Sequence, residues 1–314
     1  MSTAFLFPGQ GSQRPGMGRA LAEALPRAKE TFEEADDTLG ESVSSLCFDG
    51  PREALRLTRN TQPALLTVSV AAWRAAQARG ASCAMAAGHS LGEYSALVAL
   101  GGLAFADALR LTRRRGDLMQ EAVPEGEGAM VAVLGLSADR VAAACRETSD
   151  GGPGVVEPAN FNGAAQVVIG GHAAAVRRAG ALLRSRGARR VIPLPVSAPF
   201  HTRLMRPAAE GLAPELDGTP FRDLDAPLWT NVDAAPITSG ALAREALKRQ
   251  VASPVRWEET VLGMAAAGAD VFAELGEGRV LSGLVRKTLR GVTTIPVSDP
   301  GGVLRLARTV DVAA

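Results

Sequence analysis

The motif GHSLG at residues 88–92 constrains the fold most, because it places a serine between two glycines directly after an apolar run at residues 81–87. The glycines let the backbone turn sharply, so that the Ser90 hydroxyl projects from the edge of a sheet. A helical segment follows as far as Leu100, and its free N–H groups favour negative charge at that hydroxyl. This order predicts a nucleophile elbow. The alternative interpretation is an ordinary strand-to-helix turn with Ser90 near an N-cap.

The rest of the chain alternates short apolar runs with helical patterns. Thr3–Phe7 is an apolar run that stops at a Pro-Gly pair, and residues 18–35 and 63–79 carry apolar side chains at helical spacing. Further apolar runs at residues 228–232 and Val271–Leu275 are typical of buried strands. The alternation predicts an α/β fold with a mostly parallel sheet.

The segment between residues 128 and 196 has a pattern of its own. Its apolar runs and helix-like stretches alternate in the order 129–134, 138–146, 166–169, 173–186 and 190–196. We therefore expect a strand–helix–strand–helix–strand unit. The predicted organisation is a large α/β catalytic domain of residues 1–127 and 197–314, with a small α+β domain of residues 128–196 inserted in it.

Charge and composition disfavour several classes of function. The chain has 34 basic and 33 acidic residues, so no overall field attracts nucleic acid or an anionic membrane. Aromatic residues make up 4%, too few for a platform that stacks bases. The three cysteines show neither a disulfide framework nor a metal-ligand spacing. We expect no leader peptide and no membrane span, and hence a cytoplasmic location.

A serine nucleophile needs a base within hydrogen-bond reach, and the chain has three histidines. His89 adjoins Ser90, and on a tight elbow its ring points elsewhere. His172 lies in a Gly-Gly-His turn of the small unit and is interpreted as a surface residue. His201, between an apolar strand and a helix, is the remaining candidate base. The group that orients its ring is left open, because an acid, an amide or a backbone carbonyl would serve.

A glycine-rich loop, PGQGSQ at residues 8–13, follows the first predicted strand. Such loops expose backbone N–H groups that bind anions or oxyanions. The loop lacks the Gly-Lys-Ser/Thr ending of a phosphate-binding loop, and it lacks the third glycine of a dinucleotide fingerprint. An oxyanion site and a plain turn are the two interpretations.

Arg115 lies on the apolar side of the helix predicted at residues 105–122. Leu111, Leu118 and Met119 lie three or four residues away from it, on the same face. A buried arginine must have a partner, because an isolated buried charge is very costly. That partner is either a structural carboxylate or a substrate carboxylate held by two hydrogen bonds.

Six segments carry a specific resemblance, in one order and over nearly the whole chain. They are FPGQGSQ (7–13), GHSLGEYSAL (88–97), RRGDLMQEAVPEG (114–126), PANFNGAAQVVIGG (158–171), VSAPFHTRLM (196–205) and RQVASPVRW (249–257). On these motifs the chain resembles the malonyl-CoA:acyl carrier protein transacylases of fatty-acid and polyketide synthesis.

The resemblance implies a function for each motif. Ser90 would be the acylated nucleophile and His201 its base, and Arg115 would hold the free carboxylate of the malonyl group. The remaining implied site residues are Gln10 and Leu91 for the oxyanion hole, Gln250 to orient the histidine and line the pocket, and Phe200, His89 and Asn162 as substrate contacts.

The resemblance also implies a fold, partners and a reaction. The fold would be a hydrolase-like large domain and a ferredoxin-like small one. The partners would be a coenzyme A thioester and an acyl carrier protein, used by a monomer in a ping-pong cycle without a metal or other cofactor. Phe200 before His201 resembles the malonyl-selecting form of its motif.

Three other functions stay open. A serine esterase or thioesterase would need an acid between serine and histidine in the chain, and Asp107, Asp117, Asp139 and Asp150 are available. A non-catalytic module that binds carrier protein is a second alternative. A third is a transferase for an alkylated malonyl unit.

Overall fold

The computed structural model describes residues 2–163, 165–196 and 198–311. Its strands are β1 (Thr3–Phe7), β2 (Met85–Gly88), β3 (Gly128–Leu134), β4 (Val156–Gly163), β5 (Gln166–His172), β6 (Arg190–Pro193), β7 (Leu228–Trp229), β8 (Pro236–Ile237), β9 (Val271–Leu275) and β10 (Thr293–Val297). Its helices are α1 (Arg19–Ala24), α2 (Pro26–Leu39), α3 (Val43–Asp49), α4 (Arg52–Arg56), α5 (Thr58–Gln77), α6 (Gly92–Ala99), α7 (Phe105–Glu121), α8 (Ala138–Asp150), α9 (Ala173–Ser185), α10 (Arg206–Gly218), α11 (Gly240–Gln250), α12 (Trp257–Ala266), α13 (Val280–Thr288) and α14 (Pro300–Asp311).

The first sheet has the strand order β10-β9-β1-β2-β7-β8, and its strands run parallel except for the edge pair β7–β8. Both faces are covered. Phe5 and Phe7 pack in one core with side chains of α5, whereas Ala4 and Leu6 pack in another with side chains of α12 and α13. Burial on both sides explains why β1 is a continuous apolar run and does not alternate with polar residues.

The second sheet is antiparallel, with the order β4-β5-β3-β6. One face packs on α8 and α9 through an aliphatic core that includes Val133, Ile169 and Val176. The opposite face carries Met130 and contacts Phe200. Leu194, Val196 and Phe200, which lie between β6 and position 201 in the sequence, therefore pack on this second face.

β4 also joins the antiparallel sheet to the segment between α11 and α12. The Phe161 N–H donates to the Val255 carbonyl at 2.8 Å, and the Val255 N–H donates to the Ala159 carbonyl at 2.9 Å. These backbone bonds attach the small sheet to the larger part of the molecule beside the site described below.

The predicted class, a mixed α/β fold with a parallel-rich sheet, is confirmed, and one element of the small unit was missed. The predicted strand–helix–strand–helix–strand order lacks β4, which precedes β5 directly. β4 contains Pro158, two asparagines and Gly163, and its register shifts twice along β5. It therefore has no alternating apolar pattern to recognise.

Two helices also differ from the sequence-based expectation. The helix predicted at residues 18–35 is two helices, because the chain is extended at Leu25 and Pro26 begins α2. The helix predicted at 63–79 begins earlier, at Thr58, with Pro63 inside it. Pro63 has no N–H for the Arg59 carbonyl, and that carbonyl accepts from Arg113 instead, at 3.0 Å.

The strand predicted at residues 228–232 is shorter than expected, because only Leu228–Trp229 pairs in the sheet. No helix of the described residues is long and apolar enough to cross a membrane.

Candidate active site

Ser90 lies at the sharp turn between the end of β2 and the start of α6. Its backbone φ is 54°, in the left-handed region that residues with a side chain rarely adopt. A Cβ on Gly88 would lie 1.8 Å from the Gly92 carbonyl carbon, and a Cβ on Gly92 would lie 2.0 Å from the Phe7 carbonyl oxygen. Glycine is therefore required at both positions, and the local geometry is that of a nucleophile elbow.

Asn231 holds this elbow from the neighbouring strand. Its Oδ1 accepts from the Ser90 N–H at 2.7 Å, and its Nδ2 donates to the Gly88 carbonyl at 2.6 Å. Asn231 follows β7, which pairs in parallel with β2. The strained turn is thus fixed by one buried amide that bridges its two sides.

His201 is within hydrogen-bond distance of the Ser90 hydroxyl, with 2.6 Å between Nε2 and Oγ. Its Nδ1 lies 3.0 Å from the Gln250 carbonyl oxygen and 3.2 Å from the Ser253 carbonyl oxygen. Because carbonyl oxygens only accept, Nδ1 carries the proton and Nε2 is free to accept from Ser90. The orienting group that the sequence left open is a pair of backbone carbonyls.

Arg115 is buried beside the same hydroxyl. Its Nη2 donates to Ser90 Oγ at 3.0 Å and to Gln250 Oε1 at 2.9 Å, and its Nη1 donates to Gln62 Oε1 at 2.6 Å. The guanidinium also stands over the Tyr94 ring, 5.7 Å from its centroid. Its Nε is buried without a partner among the described residues. Every direct acceptor of this cation is therefore neutral, and its Nε–H donates to none of the described residues.

Gln250 connects the three groups. Its Nε2 donates to the Ser90 carbonyl at 3.0 Å, its Oε1 accepts from Arg115, and its backbone carbonyl faces His201. The sequence predicted that Ser90, His201, Arg115 and Gln250 act at one site, and the structure brings all four together.

Burial sets the protonation states of the site. Burial, and after it the charge of Arg115, lowers the pKa of His201 to about 3. Burial likewise lowers the pKa of His89 and of Arg115, although a guanidinium is effectively always protonated in proteins. The imidazole at position 201 is therefore neutral at ordinary pH, which is the form that accepts a proton.

The glycine-rich loop lies directly against the elbow, since a Cβ on Gly9 would be 2.4 Å from the His89 carbonyl oxygen. The Gln10 side chain accepts from Thr58 Oγ1 at 2.8 Å. Among the described residues, neither the Gln10 N–H nor the Leu91 N–H has an acceptor, whereas the Gly92 N–H donates to the His89 carbonyl. Two backbone donors are thus left over around Ser90, on the residues that the resemblance implied.

His89 and Asn162 bind each other. His89 Nε2 lies 2.9 Å from Asn162 Oδ1, and the His89 ring packs against Trp257 with 5.4 Å between centroids. As expected, the His89 ring points away from the Ser90 hydroxyl. Asn162 is on β4, so this pair is a further contact between the two sheets.

Two cavities open beside the site. Phe200 and Gln10 line one of about 400 Å³. A larger cavity of about 660 Å³, which we call the outer cleft, reaches His201 from α8 and β4. Its lining residues are Ala142, Cys145, Arg146, Ser149, Asp150, Val155, Val156, Glu157, Pro158, Phe161, His201, Arg203, Arg206, Ala252 and Pro254.

Three polar residues behind Ser90 were missed from the sequence. Gln62, Glu93 and Asn231 are almost completely buried and bind the groups described above. Together with Arg115 and Gln250 they form what we call the inner wall. The only sequence signal for Gln62 and Glu93 was a polar residue within a helical stretch rich in apolar ones.

The four acids proposed for a hydrolase triad do not hydrogen-bond to His201. Asp107 pairs with Arg110, and Asp117 pairs with Arg59. Asp139 lies in the first turn of α8, and Asp150 lines the outer cleft. Ring orientation here needs no carboxylate.

Fold and site together define a class of protein. A serine on an elbow, a neutral histidine at hydrogen-bond distance and a buried arginine beside the hydroxyl are suited to moving an acyl group through a serine ester. The chain belongs to the acyl transferase domain family, whose model matches residues 4–305.

Two proteins that are similar to this chain in sequence carry the same, more specific name. A malonyl CoA-acyl carrier protein transacylase of Bacillus subtilis (strain 168) is 50% identical over 297 residues, 95% of this chain and 93% of that protein. The protein of the same name from Escherichia coli (strain K12) is 49% identical over 301 residues, with 96% and 97% covered.

Two solved structures that are similar to this chain carry related names. An acyl-carrier-protein S-malonyltransferase from Burkholderia pseudomallei 1710b superimposes with a TM-score of 0.95 at 45% identity, covering 98% of this chain and 100% of that one. A type II PKS acyl-carrier protein in complex with its malonyl-transacylase contains a chain with the same score, identity and coverage.

Proposed function

We propose that this protein transfers a malonyl group from malonyl-CoA to the phosphopantetheine thiol of an acyl carrier protein, through a malonyl ester on Ser90. The observation that carries the proposal is the buried Arg115, which donates to the Ser90 hydroxyl and whose Nε has no partner among the described residues. A cation in that position suits an acyl group that ends in a carboxylate. The names of the relatives and the carrier-protein complex point to the same substrate and partner.

The proposed first half-reaction loads the serine. His201 Nε2 takes the proton of Ser90, and the oxygen attacks the thioester carbonyl. The backbone N–H groups of Gln10 and Leu91 receive the resulting oxyanion, and one such donor lowers a barrier by about 3 kcal/mol in comparable enzymes. The carbon–sulfur bond then breaks, and the coenzyme A thiolate leaves with the proton from His201.

The second half-reaction reverses these steps with another thiol. The phosphopantetheine thiol of the carrier protein gives its proton to His201 and attacks the serine ester. The bond to Ser90 Oγ breaks, and the proton returns from His201 to that oxygen. The proposed cycle is ping-pong, and it uses this chain's own groups and two carriers without a cofactor.

Acyl selection is assigned to the residues around the hydroxyl. Arg115, oriented by Gln250, would hold the malonyl carboxylate. Phe200, half-buried next to His201, would restrict the site to an unsubstituted malonyl group. We propose that His89 and Asn162 contact the acyl or pantetheine part of the substrate as a hydrogen-bonded pair.

We also propose a hydrolase-like large domain of residues 1–127 and 197–314, and a ferredoxin-like small domain of residues 128–196. The elbow after a parallel strand supports the first assignment. The order β3-α8-β4-β5-α9-β6, a βαββαβ pattern, supports the second.

Mass spectrometry of the intact protein tests the function. Incubation with malonyl-CoA is expected to give one malonyl adduct, located on Ser90 by peptide mapping and lost in Ser90→Ala. Addition of holo carrier protein is expected to move the adduct to the carrier, whereas the apo carrier, which lacks the thiol, leaves it in place. Release of malonate to water at the same rate in both cases would mean a thioesterase. Preferential loading from methylmalonyl-CoA would mean an alkylmalonyl transferase.

A further inference from the structure

Glu93 is a buried carboxylate that the proposed cycle does not use. It lies in the first turn of α6, three residues after the serine, and has no exposed surface. No lysine, arginine or histidine of the described residues forms an ion pair with it. Its Oε2 accepts from the Asn231 N–H at 3.0 Å and from Gln250 Nε2 at 2.9 Å, whereas its Oε1 is buried with no partner in the described part of the chain. A buried carboxylate with so few contacts needs an explanation.

One oxygen of Glu93 touches both groups that hold the reacting residues. Asn231 binds the two sides of the elbow, through the Ser90 N–H and the Gly88 carbonyl. Gln250 binds the Ser90 carbonyl and Arg115. Glu93 therefore contacts none of the reacting atoms but lies directly behind the residues that orient them.

Glu93 is one of three groups that decide the orientation of the Gln250 amide, together with the Ser90 carbonyl and the Arg115 guanidinium. An amide can be turned end over end, and only its surroundings decide which end is oxygen. Here the Nε2 group faces two acceptors, the Ser90 carbonyl and Glu93 Oε2, so Oε1 must face Arg115. Without an acceptor at position 93 one N–H of the amide would be buried and unsatisfied. The opposite orientation would turn the amide N–H groups toward the guanidinium.

We propose that Glu93 is a positioning residue for acyl selection: it fixes the Gln250 amide so that its oxygen holds the Arg115 guanidinium toward the acyl carboxylate. This inference rests on the proposed malonyl transfer.

Two substitutions separate the hydrogen bond from the rest of the side chain. Glu93→Gln keeps an oxygen for both donors, and its amide nitrogen takes the place of the unpartnered Oε1. Glu93→Met has a similar shape but offers no such acceptor. We expect Glu93→Gln to keep the malonyl-over-acetyl preference within a few-fold. We expect Glu93→Met to reduce that preference by about 10- to 100-fold, the effect of losing one hydrogen bond to a charged group.

The experiment measures kcat and KM for serine loading with malonyl-CoA and with acetyl-CoA in both variants. A loss in Glu93→Met that is confined to malonyl-CoA supports the positioning role. Equal losses with both thioesters would mean that Glu93 only stabilises the fold, and would overturn it. Wild-type protein is assayed first: if it forms no malonyl ester, the proposed function itself is wrong, whatever the variants do.

A second measurement applies if Glu93→Met does not fold. Glu93→Asp keeps the charge but withdraws the acceptor by one methylene, so a smaller loss of malonyl preference is expected. In Gln250→Ala this change should have no further effect on the preference, because Glu93 acts through Gln250. Additive losses in the double variant would overturn the proposal.

Discussion

The inner wall binds Ser90, whereas the outer cleft reaches the neighbouring His201, and the two regions are built differently. The inner wall consists of side chains with almost no exposed surface, which bind one another at fixed distances. The outer cleft is an open cavity of about 660 Å³, and two of its charged residues, Arg203 and Glu157, form an ion pair at the surface. The difference follows from the proposed reaction. One acyl group must be recognised on the inner side, whereas two different carriers must be admitted on the outer side.

Removal of the proposed base, His201, is expected to reduce the rate of serine loading more than any other substitution in the inner wall or the outer cleft. His201→Ala should reduce serine loading by about 10⁴-fold or more, as in other enzymes that lose the base of a serine nucleophile. Rapid-quench mass spectrometry measures the loading rate. His172→Ala is the matched control, because His172 is on β5 in the other sheet, and its loading rate should not change. Residual loading within tenfold of wild type would show that another group is the base.

A substitution in the inner wall should change which acyl group is loaded, and not only the rate of loading. Arg115 tests this expectation. Arg115→Ala is expected to reduce malonyl loading by about 100-fold, from the loss of charge-assisted hydrogen bonds, and to increase acetyl loading. The readout is the ratio of malonyl to acetyl adduct. Arg114→Ala is the control. Arg114 is a half-exposed residue of the same helix, and its ion pair with Glu215 is long, with 3.8 Å between Nε and Oε1. An unchanged preference in Arg115→Ala would contradict the role assigned to this residue.

The acid limb of the pH–rate profile tests whether the His201 ring is shielded from water. With a pKa of about 3, His201 is neutral well below the ordinary histidine value of about 6.5. Its active form is lost only as the pH falls through about 3, so loading should show no limb near pH 6.5.

Glu93 could also produce an acid limb, because burial raises its pKa to about 7. The variant Glu93→Gln, which cannot titrate, is therefore the control. A limb near that pH which Glu93→Gln removes belongs to Glu93. A limb at about 6.5 that persists in Glu93→Gln would mean that water reaches the imidazole.

The smallest effects are expected in the outer cleft. Arg203→Ala removes an exposed ion pair with Glu157, and such pairs contribute about 0–1 kcal/mol. We expect the KM for carrier protein to rise less than tenfold and to depend less on salt, with the loading kcat unchanged. Arg244→Ala, in a surface ion cluster of α11, is the control. A large fall in kcat for Arg203→Ala would remove the distinction between the two sides.

The sequence predicted those parts of the site whose residues are close together in the chain, and it missed those formed by residues that are far apart. The elbow was predictable because strand, glycines and serine are adjacent, and Arg115 because its helix has a clear apolar face. Residue types alone did not identify the groups that orient His201, since backbone carbonyls leave no trace in them; the resemblance implied Gln250 for this role but not Ser253. Gln62, Glu93 and Asn231 were missed because each is far in sequence from the group that it binds.

Other expectations stay predictions. These are the catalytic roles, the domain boundaries, the monomeric state and the cytoplasmic location. Strand β4 was missed for a similar reason, because its role depends on contacts that are distant in sequence. Asn162 contacts His89, and Ala159 and Phe161 bond to the backbone of Val255.

The backbone bonds of Val255 have a consequence for anyone who exchanges the small sheet between relatives to change carrier preference. The segment that attaches this sheet, residues 251–257, is continuous with the carbonyls that orient the histidine ring. A chimera cut only at the ends of the insertion would combine a foreign β4 with a native anchor. Such a hybrid is expected to misalign the imidazole unless the donor's version of residues 250–257 is transplanted with it.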